Sequence, residues 1–249
     1  MKKAIIIGSG IAGLATSIRL ALKGYKTNVF EINSYPGGKL SSFELDGYRF
    51  DAGPSLFTMP HFVTDLFELA GEDYKLHFKY RKKNIACNYF WSDGTKFSAY
   101  SKKSDFLEEI ENTFGEPKKN VDNYLKQAKK KYDLTASLFL EQSLHKLETY
   151  LSSSTLKAML QLPVFELHKT LHQANSKAFS SIKLIQLFDR YATYNGSDPY
   201  RTSGIMTLIQ HLEGAYGTFV PEGGMVAITD ALYNLALRSG VTFDFETPV

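Results

Sequence analysis

The segment that most constrains the fold of this chain is the glycine-rich hexapeptide GSGIAG at residues 8–13. It follows Ala4–Ile7, a short apolar run that is typical of a buried parallel strand. Ile11–Lys23 after it has the apolar spacing of a helix, and Thr27–Glu31 is a second strand-like run. Strand, glycine turn, helix and strand together predict one βαβ unit.

Each glycine of the hexapeptide matches a requirement of dinucleotide binding. Gly8 permits a tight turn, Gly10 lets the backbone approach a pyrophosphate, and Gly13 lets the helix pack closely on the strand. The N-terminus of the helix offers free N–H groups to the phosphates, and Glu31 is placed to accept hydrogen bonds from a ribose. The alternative, a glycine-rich turn of an unrelated α/β protein, does not need this complete set.

Two further loops distinguish FAD from NAD. Residues 35–42 read YPGGKLSS and residues 51–55 read DAGPS. A plain NAD site needs neither loop, whereas the longer, folded-over FAD does. The predicted cofactor-binding residues are Gly8, Gly10, Ile11, Ala12, Gly13, Glu31, Gly38, Lys39, Leu40, Gly53, Pro54, Ser55 and Val249.

Composition excludes several classes of protein. The net charge of +3 does not indicate nucleic-acid binding. Cys87 is the only cysteine, which fits a reducing compartment and a cytoplasmic location. The apolar start resembles a signal peptide, but glycines and Arg19 interrupt it. No run of residues has the length and apolarity of a transmembrane helix.

The α/β pattern is interrupted and then returns. Residues 1–76 and 216–249 carry it, and we expect Val241–Phe245 to join the sheet of the first βαβ unit. Residues 77–215 predict a hairpin over Asn84–Tyr100, then helices from Ser104 to His172 with a break near Pro163. Because the chain ends at a strand, we expect it to be the N-terminal part of a longer protein.

The glycine motifs resemble those of the amine-oxidase and phytoene-desaturase superfamily of flavoproteins. That family has arginine after the second glycine pair, where this chain has Lys39. Residues 50–60, 188–200 and 219–225 are similar to segments of bacterial carotenoid desaturases. The resemblance implies an α/β fold with a discontinuous, Rossmann-like FAD domain and a mainly helical substrate domain with antiparallel strands. It also implies carotenoid desaturation, and a C-terminal segment that completes the flavin site.

The segment FDRYATYNGSDPY at residues 188–200 supplies the candidate catalytic and substrate residues. Asp189 and Arg190 either place the polyene near the flavin or form a structural ion pair. Tyr191, Tyr194 and Tyr200 either line a substrate cavity or are core aromatics.

The helical stretch also predicts contact with a membrane surface. A carotenoid is stored in the bilayer, and leucine-rich helices beside the basic cluster Lys126–Lys131 suit an anionic surface. The alternative for Lys129, Lys130 and Lys131 is a solvated helix face. His168 and His172 are expected on one helical face, but they lack a third ligand, so no metal site is predicted.

Two other kinds of protein are compatible with the same glycine motifs and helical stretch. One is a flavin oxidase acting on amines or porphyrinogens. The other is a flavin-free lipid-binding escort protein on the same fold, as in the GDP-dissociation inhibitors, although such a protein would not need the intact glycine triplet and Glu31.

Overall fold

A computed structural model of the chain describes residues 1–136, His145 and residues 161–249. It divides into two compact units. Unit 1 combines Met1–Lys83 with Thr218–Val249, and unit 2 is Asn84–Gly217.

The strands and helices follow in chain order. The strands are β1 Lys3–Ile7, β2 Lys26–Phe30, β3 Ser41–Leu45, β4 Tyr48–Ala52, β5 Tyr80–Lys82, β6 Ile85–Phe90, β7 Lys96–Tyr100, β8 Phe219–Pro221 and β9 Thr242–Asp244. The α-helices are α1 Ile11–Leu22, α2 His61–Leu69, α3 Lys103–Phe114, α4 Lys118–Ala136, α5 Leu171–Ala178, α6 Ile182–Asp189, α7 Ile209–His211 and α8 Val226–Arg238. Short 3₁₀ segments are Tyr74–Leu76, Leu162–Phe165, Arg190–Asn195 and Gly204–Leu208, and Leu212–Tyr216 is a π-helix.

The predicted βαβ unit and the return of the chain are both confirmed. Strands β1, β2 and β9 form one parallel sheet in that order, with Asn28 opposite Thr242 in the β2–β9 register. Helix α1 packs Leu14 and Ile18 onto Val29, and all three side chains are fully buried. The discontinuous sheet of unit 1 is therefore built from the two ends of the chain.

Unit 1 also includes a stretch that the sequence assigned to the second domain. Strand β5 pairs antiparallel with β8, with Tyr80 opposite Pro221. The first segment of unit 1 therefore ends at Lys83 rather than at residue 76. The local pattern of residues 77–83 gave no sign of this pairing, because its partner lies more than a hundred residues away.

Unit 2 has the expected hairpin, and helices α3 and α4 occupy the first part of the predicted helical stretch. The helices predicted over residues 137–144 and 146–160 lie outside the described residues. Strands β6 and β7 pair antiparallel around the Asp93-Gly94 turn. Phe97 of this hairpin, Ile110 of α3 and Phe188 of α6 belong to one buried cluster. Among the described residues, no helix is both long enough and apolar enough to cross a bilayer.

Two expectations for the helical region are wrong. Lys131 is not on a solvated face: it is 3% exposed, and its Nζ donates to Glu166 at 2.7 Å and to Thr207 at 2.8 Å. It lies on the buried face of α4, where a carboxylate compensates its charge. His168 does not share a helix with His172, because it lies in a turn and Thr170 caps the start of α5.

Candidate functional site

The glycine turn at the end of β1 has the close packing that its sequence predicts. Gly8 has a φ of +91°, a conformation that favours glycine. A Cβ atom at Gly13 would lie 2.0 Å from the carbonyl oxygen of Gly8, so only glycine fits there. A Cβ atom at Gly10 would meet nothing within 4 Å. The packing of the protein itself therefore does not explain the glycine at position 10.

The start of α1 is an open N-terminus. Gly10 is its N-cap residue and provides no side-chain cap. The N–H groups of the first turn, including those of Ile11 and Ala12, have no carbonyl partner within the helix. These donors and the open space beside Gly10 fit a dinucleotide pyrophosphate, which would lie against the turn.

Glu31 lies just beyond β2, at the same edge of the sheet as the glycine turn, and is buried. Its Oε2 accepts from the backbone N and the Oγ of Ser9, both at 2.7 Å, and its Oε1 accepts from the N and Nδ2 of Asn33. Burial alone would raise the pKa of this carboxyl, but the hydrogen bonds from Asn33 and Ser9 outweigh it and lower the pKa below its usual value. Glu31 is thus a fixed carboxylate, as ribose recognition requires.

The first extra loop lies against the glycine turn. Gly37 forms a bridge with Gly10, and a Cβ atom at Gly38 would be 3.5 Å from the Cα of Gly10. Lys39 is exposed, whereas the side chain of Leu40 is part of the core of unit 1. Gly38 and Lys39 are consequently placed to contact a cofactor. The backbone of Leu40 is engaged within unit 1, since its N–H donates to the carbonyl of Gly37 and its own carbonyl accepts from Thr229.

The second extra loop is held by a contact that sequence reasoning missed. Gly53, with a φ of +91°, lies with its neighbours Pro54 and Ser55 at the surface. Just before them, Oδ2 of Asp51 accepts the backbone N–H of Met225 at 2.8 Å, at the start of α8. An aspartate four residues before a serine gives no signal that it caps a helix far along the chain.

The last predicted cofactor residue, Val249, lies at the end of a segment that passes Glu31. The N–H of Thr247 donates to the carbonyl of Glu31 at 2.9 Å, and Val249 is exposed. The glycine turn, Glu31 and the residues after β9 therefore meet at the carboxyl edge of the parallel sheet, where ligands bind in open α/β folds.

A second cluster lies in unit 2 around Glu213, which the π-helix Leu212–Tyr216 positions. The Nη2 of Arg190 lies 2.9 and 2.8 Å from the two carboxylate oxygens, and the hydroxyls of Tyr191 and Tyr194 donate to them at 3.1 and 2.7 Å. Arg190 also donates to the hydroxyl of Tyr89. Burial raises the pKa of Tyr191 well above its usual value, and the charge of Glu213 adds to this.

Asp189 and Arg190 are adjacent in sequence but have separate partners. Oδ2 of Asp189 lies 2.7 Å from Nδ1 of His172, and its Oδ1 accepts from Nδ2 of Asn175, also at 2.7 Å. Asn175 is fully buried and in turn accepts from Tyr124. These contacts favour a positioning role for both predicted catalytic residues.

The predicted substrate tyrosines are divided between two places. Tyr191 lines a cavity of unit 2, and Tyr194 joins it on the carboxylate of Glu213. Tyr200 is 63% exposed, lies against the ring of His172, and is not among the residues that line the cavity. In the part of the chain that the structure describes, no group of three or more ligating side chains could hold a metal ion.

Sequence reasoning missed Glu213, although a signal was available. Residues 202–221 contain no other Asp, Glu, Lys or Arg. A lone carboxylate in so apolar a segment is buried only with compensating donors.

The comparison with known proteins agrees with this geometry. The family model of flavin-containing amine oxidoreductases matches residues 11–249. The chain belongs to this family. Its cofactor is FAD, and the residues at the carboxyl edge of the unit 1 sheet fit that group.

Individual relatives are similar along the whole chain. A 1-hydroxycarotenoid 3,4-desaturase of Flavobacterium sp. (strain P99-3) is 53% identical over 249 residues, covering 100% of this chain and 51% of the relative. A phytoene desaturase of Cercospora nicotianae is 33% identical over 251 residues, covering 99% of this chain and 40% of the relative. The chain therefore spans about half the length of the curated relatives it matches.

A solved structure shows the fold alone. A redesigned putrescine oxidase is 17% identical and has a TM-score of 0.58, and the match covers 100% of this chain and 51% of the oxidase chain.

Proposed function

We propose that this flavoprotein is an FAD-dependent carotenoid desaturase that removes hydrogen from a long acyclic polyene. The observation that carries the proposal is the identity of 53% to a hydroxycarotenoid desaturase along the entire chain. The fold by itself would not support it, because amine oxidases share that fold.

The reaction requires an electron acceptor and correct placement of an unreactive substrate. Removing a hydride and a proton from adjacent carbons leaves a new C=C bond. FAD, when bound, would take up the hydride, and the proton would pass to solvent. The residues of unit 1 hold the cofactor through its pyrophosphate and ribose. The apolar walls of the unit 2 cavity receive part of the polyene, and the cluster around Glu213 keeps one wall in place.

We also propose that further chain covers the sheet of unit 1. Parallel sheets are normally covered on both faces, yet Ile5 and Ile7 of β1 are 70% and 68% exposed. The relatives are about twice as long as this chain, so their remaining half is the natural cover and would complete the flavin site.

Cytoplasmic location at the membrane surface is the third part of the proposal. Moving a carotenoid through water costs roughly 0.8 kcal/mol per CH₂, so an enzyme that takes its substrate from the bilayer avoids a large barrier. Helix α4 supports this with five exposed lysines, at positions 118, 119, 126, 129 and 130.

The test of the desaturase activity uses the full-length protein, reconstituted with FAD and incubated with hydroxylated and non-hydroxylated acyclic carotenoids. A red shift of the product absorption, together with reduction of the flavin under anaerobic conditions, is expected. Reduction by amines but not by carotenoids would replace this proposal with the amine-oxidase alternative. Purification of a colourless protein that does not take up FAD would favour the lipid-binding escort.

A further inference from the structure

Unit 2 contains a cavity of about 170 Å³ with a largely apolar wall. Ala99, Phe106, Leu125 and Ala215 are among its lining residues. A cavity of about 150 Å³ accommodates benzene. This one therefore has room for one end group of a polyene and not for the whole molecule.

The charged side chains of the lining have partners: Lys103, Lys126 and Lys129 pair with aspartates, and Glu213 pairs with Arg190. The side chain of Gln210 differs from them. It lines the cavity and is only 5% exposed. Among the residues that the structure describes, no hydrogen bond satisfies its amide. Among the described residues, the only fully buried side-chain N or O atom without a partner is Oγ1 of Thr218, so the amide of Gln210 keeps access to the cavity. Its donor and its acceptor are therefore available to a ligand that enters there.

The neighbouring backbone leaves space for this amide. A Cβ atom at Gly214 would lie 2.8 Å from Nε2 of Gln210, closer than such atoms approach. Gly214 belongs to the π-helix Leu212–Tyr216, and helical irregularities of this kind are frequent at functional sites. The glycine and the π-helix thus keep room for a glutamine amide that has no hydrogen-bond partner within the described part of the chain.

His211 is a further polar residue of the same wall. It lines the cavity, and its ring contacts those of Tyr132 and Tyr216. Burial lowers the pKa of His211, so the imidazole is neutral at pH 7 and carries one donor and one acceptor. A neutral hydroxyl, which also donates and accepts, matches these groups better than an ion does.

We propose that this cavity is the subsite for the oxygen-bearing end of an acyclic isoprenoid, and that the amide of Gln210 hydrogen-bonds to its hydroxyl group. The inference rests on the proposed function, since it names the part of the substrate that unit 2 recognises. It makes Gln210 the residue that selects hydroxylated over hydrocarbon polyenes.

The first experiment measures kcat/KM of the full-length enzyme for an acyclic carotenoid with a terminal tertiary hydroxyl and for its parent hydrocarbon. Gln210→Leu should lower the ratio of the two values by about 10- to 100-fold, as expected when one buried hydrogen bond is lost. Gly214→Ala, which crowds the amide, should lower the ratio in the same direction. The matched control is Gln127→Leu on the exposed face of α4, which should leave the ratio as in the wild type.

A binding experiment separates this inference from the proposed function. Saturation-transfer NMR would compare dihydromyrcenol, a small tertiary alcohol, with dihydromyrcene, its hydrocarbon counterpart. The alcohol should bind the wild type more tightly than the hydrocarbon, and Gln210→Leu should remove the difference, whether or not the protein desaturates anything. Equal binding of both probes to the wild type, or an equal loss for both substrates in Gln210→Leu, would overturn the role of Gln210.

Discussion

The guanidinium of Arg190 contacts both carboxylate oxygens of Glu213 through a single nitrogen, at 2.9 and 2.8 Å. The carboxylate side chain is 5% exposed and that of the arginine 22%. The same arginine lies 4.7 Å from the ring centre of Tyr191. The buried carboxylate of Glu213 therefore compensates the positive charge of Arg190.

Removing that partner charge should destabilise the protein strongly. We expect Glu213→Gln to lower the free energy of unfolding by about 3 kcal/mol, because it leaves a largely buried guanidinium without a counter-charge. Chemical denaturation of the full-length protein measures this. The control is Glu108→Gln on the exposed face of α3, which should stay within about 0.5 kcal/mol of the wild type. A Glu213→Gln variant as stable as this control would show that the ion pair is dispensable.

Two glycine substitutions should separate folding from cofactor binding. Gly10→Ala should fold normally, since its Cβ atom meets nothing within 4 Å, but should lose FAD because the pyrophosphate needs that space. Gly13→Ala should fail to fold, since its Cβ atom would lie 2.0 Å from the carbonyl oxygen of Gly8. Circular dichroism reports folding and the flavin absorbance of the purified protein reports binding. Normal yellow colour in Gly10→Ala would mean that the cofactor lies elsewhere.

The Glu31 carboxylate should make stability depend on pH. The pKa of Glu31 is lower in the folded state than its usual value of 4.5. The ionised carboxylate therefore contributes its full stabilisation above pH 4.5, and this contribution is lost as the pH falls from 4.5 through the folded-state pKa. Between about pH 5 and pH 3, Glu31→Gln should therefore lose less stability than the wild type does. It should also bind FAD more weakly.

Thermal unfolding of the apoprotein at several pH values measures the first effect, and fluorescence titration with FAD measures the second. Glu222→Gln is a matched control, because Glu222 is exposed. If Glu31→Gln and the wild type lost stability in parallel, the hydrogen bonds from Ser9 and Asn33 would not be favouring the ionised form.

Membrane attachment should depend on the lysines of α4. The full-length protein should float with vesicles containing phosphatidylglycerol at low salt and less so at high salt. Lys119→Glu with Lys130→Glu should weaken this binding at least about tenfold, since each lysine near an anionic surface contributes about 1 kcal/mol. Lys2→Glu with Lys23→Glu makes the same charge change on unit 1 and should have little effect. A protein that stays in solution with every vesicle would contradict the membrane proposal.

The exposed face of β1 should be covered in the longer protein. In a Cys87→Ser background, Ile7→Cys should react quickly with a maleimide in the 249-residue chain and slowly in the full-length protein. Thr242→Cys on β9, whose side chain is exposed, offers a second reporter on the same sheet. Equal labelling rates of Ile7→Cys in both proteins would mean that the additional chain packs elsewhere.

The short-range parts of the fold could be read from the sequence because their causes are local. Gly8, Gly10 and Gly13 fall between an apolar strand and a helix with one apolar face, and the structure has that βαβ unit. The hairpin over Asn84–Tyr100 is in the predicted place for the same reason, with its turn at Asp93-Gly94. Even the presence of β9 in the sheet of the first βαβ unit was predictable, since a glycine-rich α/β pattern returns after the helical stretch.

The candidate site of unit 2 was only partly predictable. The sequence singled out Asp189 and Arg190, yet it could not show that one joins His172 and Asn175 while the other joins Glu213. A charged side chain is either solvated or paired, and which partner it has depends on segments that are distant in the chain. Lys131 was misplaced on the surface for this reason, because only its contact with Glu166 makes its burial tolerable.

The sequence by itself determined the βαβ unit, the FAD class of cofactor and the family, because glycine requirements and apolar periodicity act over a few residues. The tertiary structure alone decided which buried charges compensate each other, that Asp51 caps α8, and that the amide of Gln210 faces a cavity with no partner among the described residues. Such contacts join residues far apart in the chain, and their free energy depends on burial, which no local pattern specifies.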